Sequence, residues 1–184
     1  EKNKKFVWGY FSFIEKLIHN YENTAKPKQF ENYFYHIGES HSLTFANLTL
    51  NKDKKNYKIK PLLAFGTKAW HLAKNNNSEQ KSIFYHHLQN IPNNSNVLIS
   101  IGEIDCRIDE GIIKTHLDKG IAIDELINNT VDKYISFIEQ SIQDKGINRY
   151  YLSVPAPVIE DLPQKNNKLN KIRIDVVKKF NYRL

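Results

Sequence analysis

Val97 to Ile101, Val-Leu-Ile-Ser-Ile, does most to limit what this chain can fold into, because its five residues are nearly all apolar and lie between an Asn-rich turn and Gly102. A strand with one wet face alternates apolar and polar side chains, whereas a run without alternation suits a parallel strand covered on both faces. Two further segments read as strands: Tyr33 to Ile37, aromatic and β-branched and closed by Gly38, and Tyr150 to Val154, ended by Pro155. Helical periodicity separates and follows them. Ser78 to Gln89 has Ser78 as N-cap, with Ile83, Phe84, His87 and Leu88 on its buried face. Ile123, Leu126, Ile127, Val131, Tyr134, Ile135, Ile138 and Ile142 make one long stripe ended by Gly146, and Leu169 to Phe180 reads as a last helix. Strands alternating with helices of this length are the pattern of crossover units on a parallel sheet, so the predicted class is α/β with a central, mainly parallel sheet. Of the shorter segments, Leu43 to Leu48 is expected to begin a helix and Thr67 to Lys74 to form a short one. Ile59 to Phe65 is expected to be a strand whose Pro61 puts it near an edge or confines its ladder to part of the run.

At 184 residues the chain fills one core and is short for two. Phe6 to Tyr21 has apolar residues recurring at three and four, and the polar stretch from Glu22 to Gln29, with Pro27 in it, reads as a linker. Residues 1–29 are therefore expected to end a preceding module, and 30–184 to be the α/β domain. No Met occurs, the initiator included, so the chain is expected to be a piece of something longer. With 40% hydrophobic and 26% charged residues it fits neither a disordered nor a membrane-spanning class. It has no run of about 18 apolar residues and no secretory layout at its N-terminus. Its one thiol, Cys106, tolerates reducing surroundings, and the expectation is a cytoplasmic protein without a membrane span.

The net charge of +7 is uneven. Lys165 to Leu184 holds seven Lys or Arg against the single acid Asp175, while Val97 to Lys145 holds ten acids against five bases. The lysines are diffuse, with no zinc-finger spacing and no glycine-aromatic RNA motif, so nucleic acid is not an expected partner. Among seven histidines, His86 and His87 point to different helix faces and none forms a two-His-plus-Glu motif. No glycine-rich phosphate loop occurs, and no metal or other cofactor is expected.

Ligands of parallel α/β sheets bind beyond the carboxyl ends of strands. Those ends read Gly38-Glu39-Ser40, Gly102-Glu103-Ile104-Asp105 and Pro155-Ala156-Pro157. A serine hydroxyl where Ser40 stands, at the start of a helix, faces unpaired amides that could hold the oxyanion of an acyl-transfer intermediate. The plainer reading is that Ser40 or Ser42 caps that helix. Glu39 and His41 are near neighbours whose side chains should diverge, so they are not expected to pair, and His41 reads as a surface residue. Gly66 offers a second amide, though a glycine at a strand-to-helix junction is common without chemistry. Glu103, Asp105 and Arg107 share parity if the chain stays extended, which would gather two carboxylates and a guanidinium on one side of the loop. The alternative is an ion-pair network that anchors it. Cys106, with no positioned histidine, reads as a packed residue.

Taken in order, Gly38-Glu39-Ser40-His41-Ser42, Gly66 and Gly102-Glu103-Ile104-Asp105 resemble the first three blocks of the SGNH (GDSL-like) hydrolase superfamily, close to a branch with a Gly-Glu-Ile-Asp-Cys-Arg block. The resemblance spans about residues 33 to 155. It implies a three-layer α/β/α sandwich of flavodoxin-like SGNH type, Ser40 as nucleophile, the Gly66 amide in the oxyanion hole, and an ester substrate, such as an O-acetyl group on a carbohydrate. Two positions depart from the pattern. The third block normally carries an Asn donor where Ile104 stands, and losing such a donor costs about 3 kcal/mol of transition-state stabilisation; Arg107 is the candidate replacement, as oxyanion or substrate contact. The superfamily's final Asp-x-x-His block, which supplies the general base, does not occur here. Leu169 to Phe180 reads as the helix before it, so the block is expected beyond Leu184. The competing expectation is a non-catalytic binding or adaptor module of the same fold, with a neighbouring repeat module as its partner.

Overall fold

Tyr33–Gly38 forms the central strand, β1, of a five-stranded sheet. Beyond it come β2 (Thr49–Lys52), β3 (Lys55–Leu63), β4 (Asn96–Ser100) and β5 (Asn148–Tyr151), in the order β2-β3-β1-β4-β5. β1 pairs in parallel with β3 and β4, β4 pairs in parallel with β5, and only β2 runs antiparallel, against β3. The computed structural model describes residues 32–157 and 164–184, with side chains from 168 onward in the second stretch. The expected helix over 6–21 and the linker after it lie outside the described residues.

The helices are α1 (Ala69–Ala73), α2 (Glu79–Asn90), α3 (Gly111–Lys119), α4 (Ile123–Ile142) and α5 (Gln164–Arg183). Together with the sheet they make a three-layer α/β/α arrangement, and the strand order is consistent with the flavodoxin-like SGNH fold expected. Ile37, Val97 and Ile99 meet Phe84 and Leu88 of α2, Val131, Tyr134 and Ile138 of α4, and Val176 and Phe180 of α5 in one buried core. The expected stripes are therefore the ones that pack. In α2 only Phe84 and Leu88 of the four expected residues are buried, while Ser78 caps it by accepting a hydrogen bond from the Lys81 amide at 3.2 Å.

Two local expectations are overturned. Leu43 to Leu48 does not start a helix: a 3-10 turn over Ser40–Leu43 gives way at Asn47, in the left-handed region with φ 64°, whose amide bonds to the Ile59 carbonyl. The chain then enters the β2–β3 hairpin. Its two-residue loop, Asp53 and Lys54 with φ 51° and 61°, has the doubly left-handed geometry that suits strand twist, achieved without glycine. Pro61 sits within β3, which lies near an edge as expected, next to the edge strand β2; the ladder with β2 ends at Lys58, and pairing with β1 runs on through Pro61 to Leu63. Finally, β5 begins two residues early and ends at Tyr151, because the Val154 backbone is taken by the Asn181 side chain of α5, at 2.8 and 2.9 Å. Among the described residues no helix is long and apolar enough to cross a membrane.

Candidate active site

Strand register decides what meets at the carboxyl edge. Gly38 lies opposite Leu63 of β3 and Ser100 of β4, so the turns carrying Ser40, Gly66 and Gly102 leave three adjacent strands at one edge. Gly38 is a glycine because of this closeness and not because of a turn: a Cβ there would stand 2.3 Å from Ser100 Oγ and 2.4 Å from the Ser100 carbonyl oxygen. Gly66 does occupy a tight turn, with φ +65° and open space around it.

Ser40 opens the 3-10 turn and is exposed, and its own side chain is not the cap: Glu39 holds that position without a side-chain bond, while the Ser42 hydroxyl is buried with no partner. The turn also overturns the expected divergence of Glu39 and His41. It brings both to one side, with His41 Nδ1 3.2 Å from Glu39 Oε1. Glu39 is buried, and burial pushes its carboxyl above the usual range against the pull of the His41 hydrogen bond; the nearby Glu103 carboxylate adds to the rise. Both residues line a cavity of about 240 Å³, together with Phe45, Ser100, Glu103 and Val154. A second cavity, of about 430 Å³, shares His41 and Glu103 with the first and is walled also by Cys106, Pro155 and Arg173. Ser40 lines neither of these two cavities.

The loop after β4 is not extended. A 3-10 turn over Ile104–Cys106 puts Glu103 and Arg107 one helical turn apart and sends Asp105 the other way, so the expected gathering of all three does not occur. Arg107 Nε and Nη2 hold Glu103 Oε2 at 2.9 and 2.7 Å, with Glu110 3.7 Å from the same guanidinium. Asp105, fully buried, accepts hydrogen bonds from the Ala69 amide at 2.7 Å and the Trp70 amide at 3.1 Å. It thereby ties the start of α1, just after the Gly66 turn, to the β4 loop. Burial raises its carboxyl to about 6, and the two amides oppose the rise. Ile104 is buried and brings no polar donor, while Cys106 belongs to the core with its thiol pushed far up by burial.

Beneath the first cavity, His36 Nε2 lies 2.8 Å from Ser100 Oγ, while its Nδ1 has no partner. An imidazolium there would be buried without a counter-ion, and burial, with His41 nearby, lowers the ring to about 4. This serine–histidine pair is built to stay neutral. Glu39, His41 and Glu103 each offer a ligand atom within 4.8 Å of the others, a spacing that could hold a cation. Arg107 already holds Glu103 through two short bonds, however, and that guanidinium would compete with a metal ion for it.

No family model matches this chain, and neither a curated protein nor a solved structure matches it. Residue reasoning missed the Glu39–His41 pair, whose only sequence signal is its place at the mouth of a strand-to-helix turn, and it missed Arg173. The latter reaches the site from α5, seventy residues after Glu103, and no local spacing announces such a contact.

Proposed function

We propose that this chain carries the catalytic domain of a serine-dependent hydrolase or acyltransferase acting on an ester, with O-acetyl groups of a carbohydrate as the substrate class that the SGNH resemblance implies. The α/β topology is consistent with a hydrolase-type scaffold in general. The observation that carries the reading is the register: the turns with Ser40, Gly66 and Gly102 leave neighbouring strands at one edge, beside cavities lined by Glu39, His41 and Glu103. In this reading Ser40 Oγ attacks the ester carbonyl and its proton passes to a general base. The Gly66 amide, with Arg107 standing in for the donor absent at Ile104, receives the oxyanion. Asp105 positions the Gly66 side of the site through α1, and Glu103 holds Arg107. Among the described residues His41, held by Glu39, is the imidazole next to Ser40 in the chain. The division into a leading segment, 1–29, and a domain from residue 30 belongs to the same proposal.

A second reading, a binding or adaptor module with this fold, is favoured by one observation: the donor position of the third block is Ile104, which is buried and has no polar donor. Labelling with a fluorophosphonate separates the two. The catalytic reading expects the parent protein to be labelled and Ser40→Ala to be left unlabelled; equal labelling of both removes Ser40 from the chemistry.

A further inference from the structure

A guanidinium has five N–H donors in a fixed planar fork and keeps its charge at every physiological pH, so its partners can be counted. Arg173 stands on α5 with its side chain only 23% exposed. Among the described residues its single charged contact is Glu103 Oε1 at 3.6 Å, longer than a hydrogen bond, and its Nε is buried with no acceptor. Glu103 does not need it, because Arg107 holds the other carboxylate oxygen through two short bonds. Among the described residues Arg173 is therefore an under-used cation, and it lines the 430 Å³ cavity together with His41, Glu103 and Pro155. That volume lies in the range of sites that hold small ligands, about 300–1,000 Å³.

We infer that this cavity is a subsite for a carboxylate-bearing group, received by the free edge of the Arg173 fork. A carboxylate matches the fork in plane and spacing, and it would meet the exposed part of the guanidinium, since Nε itself is buried. Glu103 does not repel it strongly, since the Arg107 pairing neutralises that carboxylate on its far side. Joined to the ester-hydrolase reading, on which this step rests only for the word substrate, the inference names the substrate class: an ester carrying a carboxylate one sugar ring or one short acyl chain from the reacting centre. The carboxylate would belong to an acidic sugar or to a dicarboxylic acyl group.

Titration of the full chain with glucuronate, glucose and succinate, followed through the Arg173 Nε–H signal in ¹H–¹⁵N spectra, tests the subsite without using activity. The signal is expected to shift saturably with at least one of the two acids, and which acid binds tells the sugar source from the acyl source. Glucose should bind about tenfold more weakly or worse, and added NaCl should weaken the acid. Arg173→Met is expected to abolish binding and Arg173→Lys to weaken it, an ammonium being unable to offer two parallel donors. Equal binding of glucose and glucuronate, no shift with either acid, or full acid binding by Arg173→Met would each overturn the inference. Should the variants fail to fold, the Nε–H signal of the unaltered chain still decides. None of these outcomes bears on Ser40, whose labelling tests the hydrolase reading separately.

Discussion

His36 occupies a position where an imidazole cannot take a charge cheaply: it is fully buried on β1, stacked on Phe45 with 5.7 Å between ring centres, and joined by one bond to Ser100. Its folded-state value of about 4 lies below the ordinary 6.5, so the unfolded chain takes up a proton over a range where the folded chain does not. Its contribution to stability is therefore complete above pH 6.5 and is lost as pH falls toward 4. Asp105 acts in the opposite sense, since its carboxyl is raised from 3.8 to about 6: its contribution is complete below 3.8 and is lost as pH rises through 6. Because the two overlap, a His36→Gln control is needed. Urea unfolding of both proteins at pH 7 and pH 4.5 is expected to show the parent losing up to about 3 kcal/mol more than the variant; parallel losses would mean that the buried ring is not neutral. Arg107 poses the other question at this scale. Its pair with Glu103 leaves the guanidinium side chain 39% exposed, and such pairs contribute less than about 1 kcal/mol. Arg107→Ala should then leave the melting temperature nearly unchanged. If Arg107 also meets the oxyanion, kcat of the active parent protein should fall by about 100-fold with little change in KM. A marked loss of stability with kcat within a factor of about three would leave it the role of bracing the loop.

Elements show how far a sequence speaks. β4 was legible because a strand covered on both faces is nearly all apolar, β1 because its aromatic and β-branched run is closed by Gly38, and α4 because its stripe leaves few other readings. What the sequence concealed depends on partners far along the chain or on backbone states that residue types only weakly favour. The β2–β3 turn uses Asp53 and Lys54 where glycine would have signalled it, and β5 stops where Asn181 claims the Val154 backbone. The candidate site follows the same division. Its strand-end turns could be read off in order, but the Glu39–His41 pair and the inward turn of Asp105 follow from two 3-10 turns that no residue type demands. Asp105 is the residue on which element and site meet, since it caps α1 from another loop. Removing it strands two amides, one buried and one partly so, at a cost of about 2–4 kcal/mol for Asp105→Ala, with Asp105→Asn losing less because one acceptor remains. Hydrogen exchange should localise the loss: the Ala69 and Trp70 amides are expected to exchange faster in Asp105→Ala while those of β4 keep their protection. Uniform loss across β4 would mean that the carboxylate supports the sheet and not the start of α1.

Across the molecule the basic tail and the acidic middle face one another. Arg183 holds Asp132 through two hydrogen bonds, at 2.7 and 2.6 Å, and Lys179 reaches Asp124 at 2.9 Å, so part of the charge asymmetry seen in the sequence is spent between α5 and α4. It is tempting to credit these pairs with docking α5, but both are largely exposed, and exposed pairs are weakened by side-chain entropy and by salt. The apolar side of the same helix tells otherwise. Phe180 is fully buried, and its ring stands where a Cβ on Gly102 would come within 2.5 Å, so it packs directly beneath the loop that carries Glu103. Phe180→Ala would leave a cavity among Val154, Gly102 and the core, at about 3–5 kcal/mol, and would loosen the Glu103 loop from below. Arg183→Ala should leave the melting temperature almost unmoved, and raising NaCl to about 1 M, where screening acts within about 3 Å, should not separate it from the parent. Melting curves of the two variants at low and high salt decide between the forces. If Arg183→Ala melts as early as Phe180→Ala, and salt lowers the parent to meet it, then charge and not burial holds the last helix on the fold.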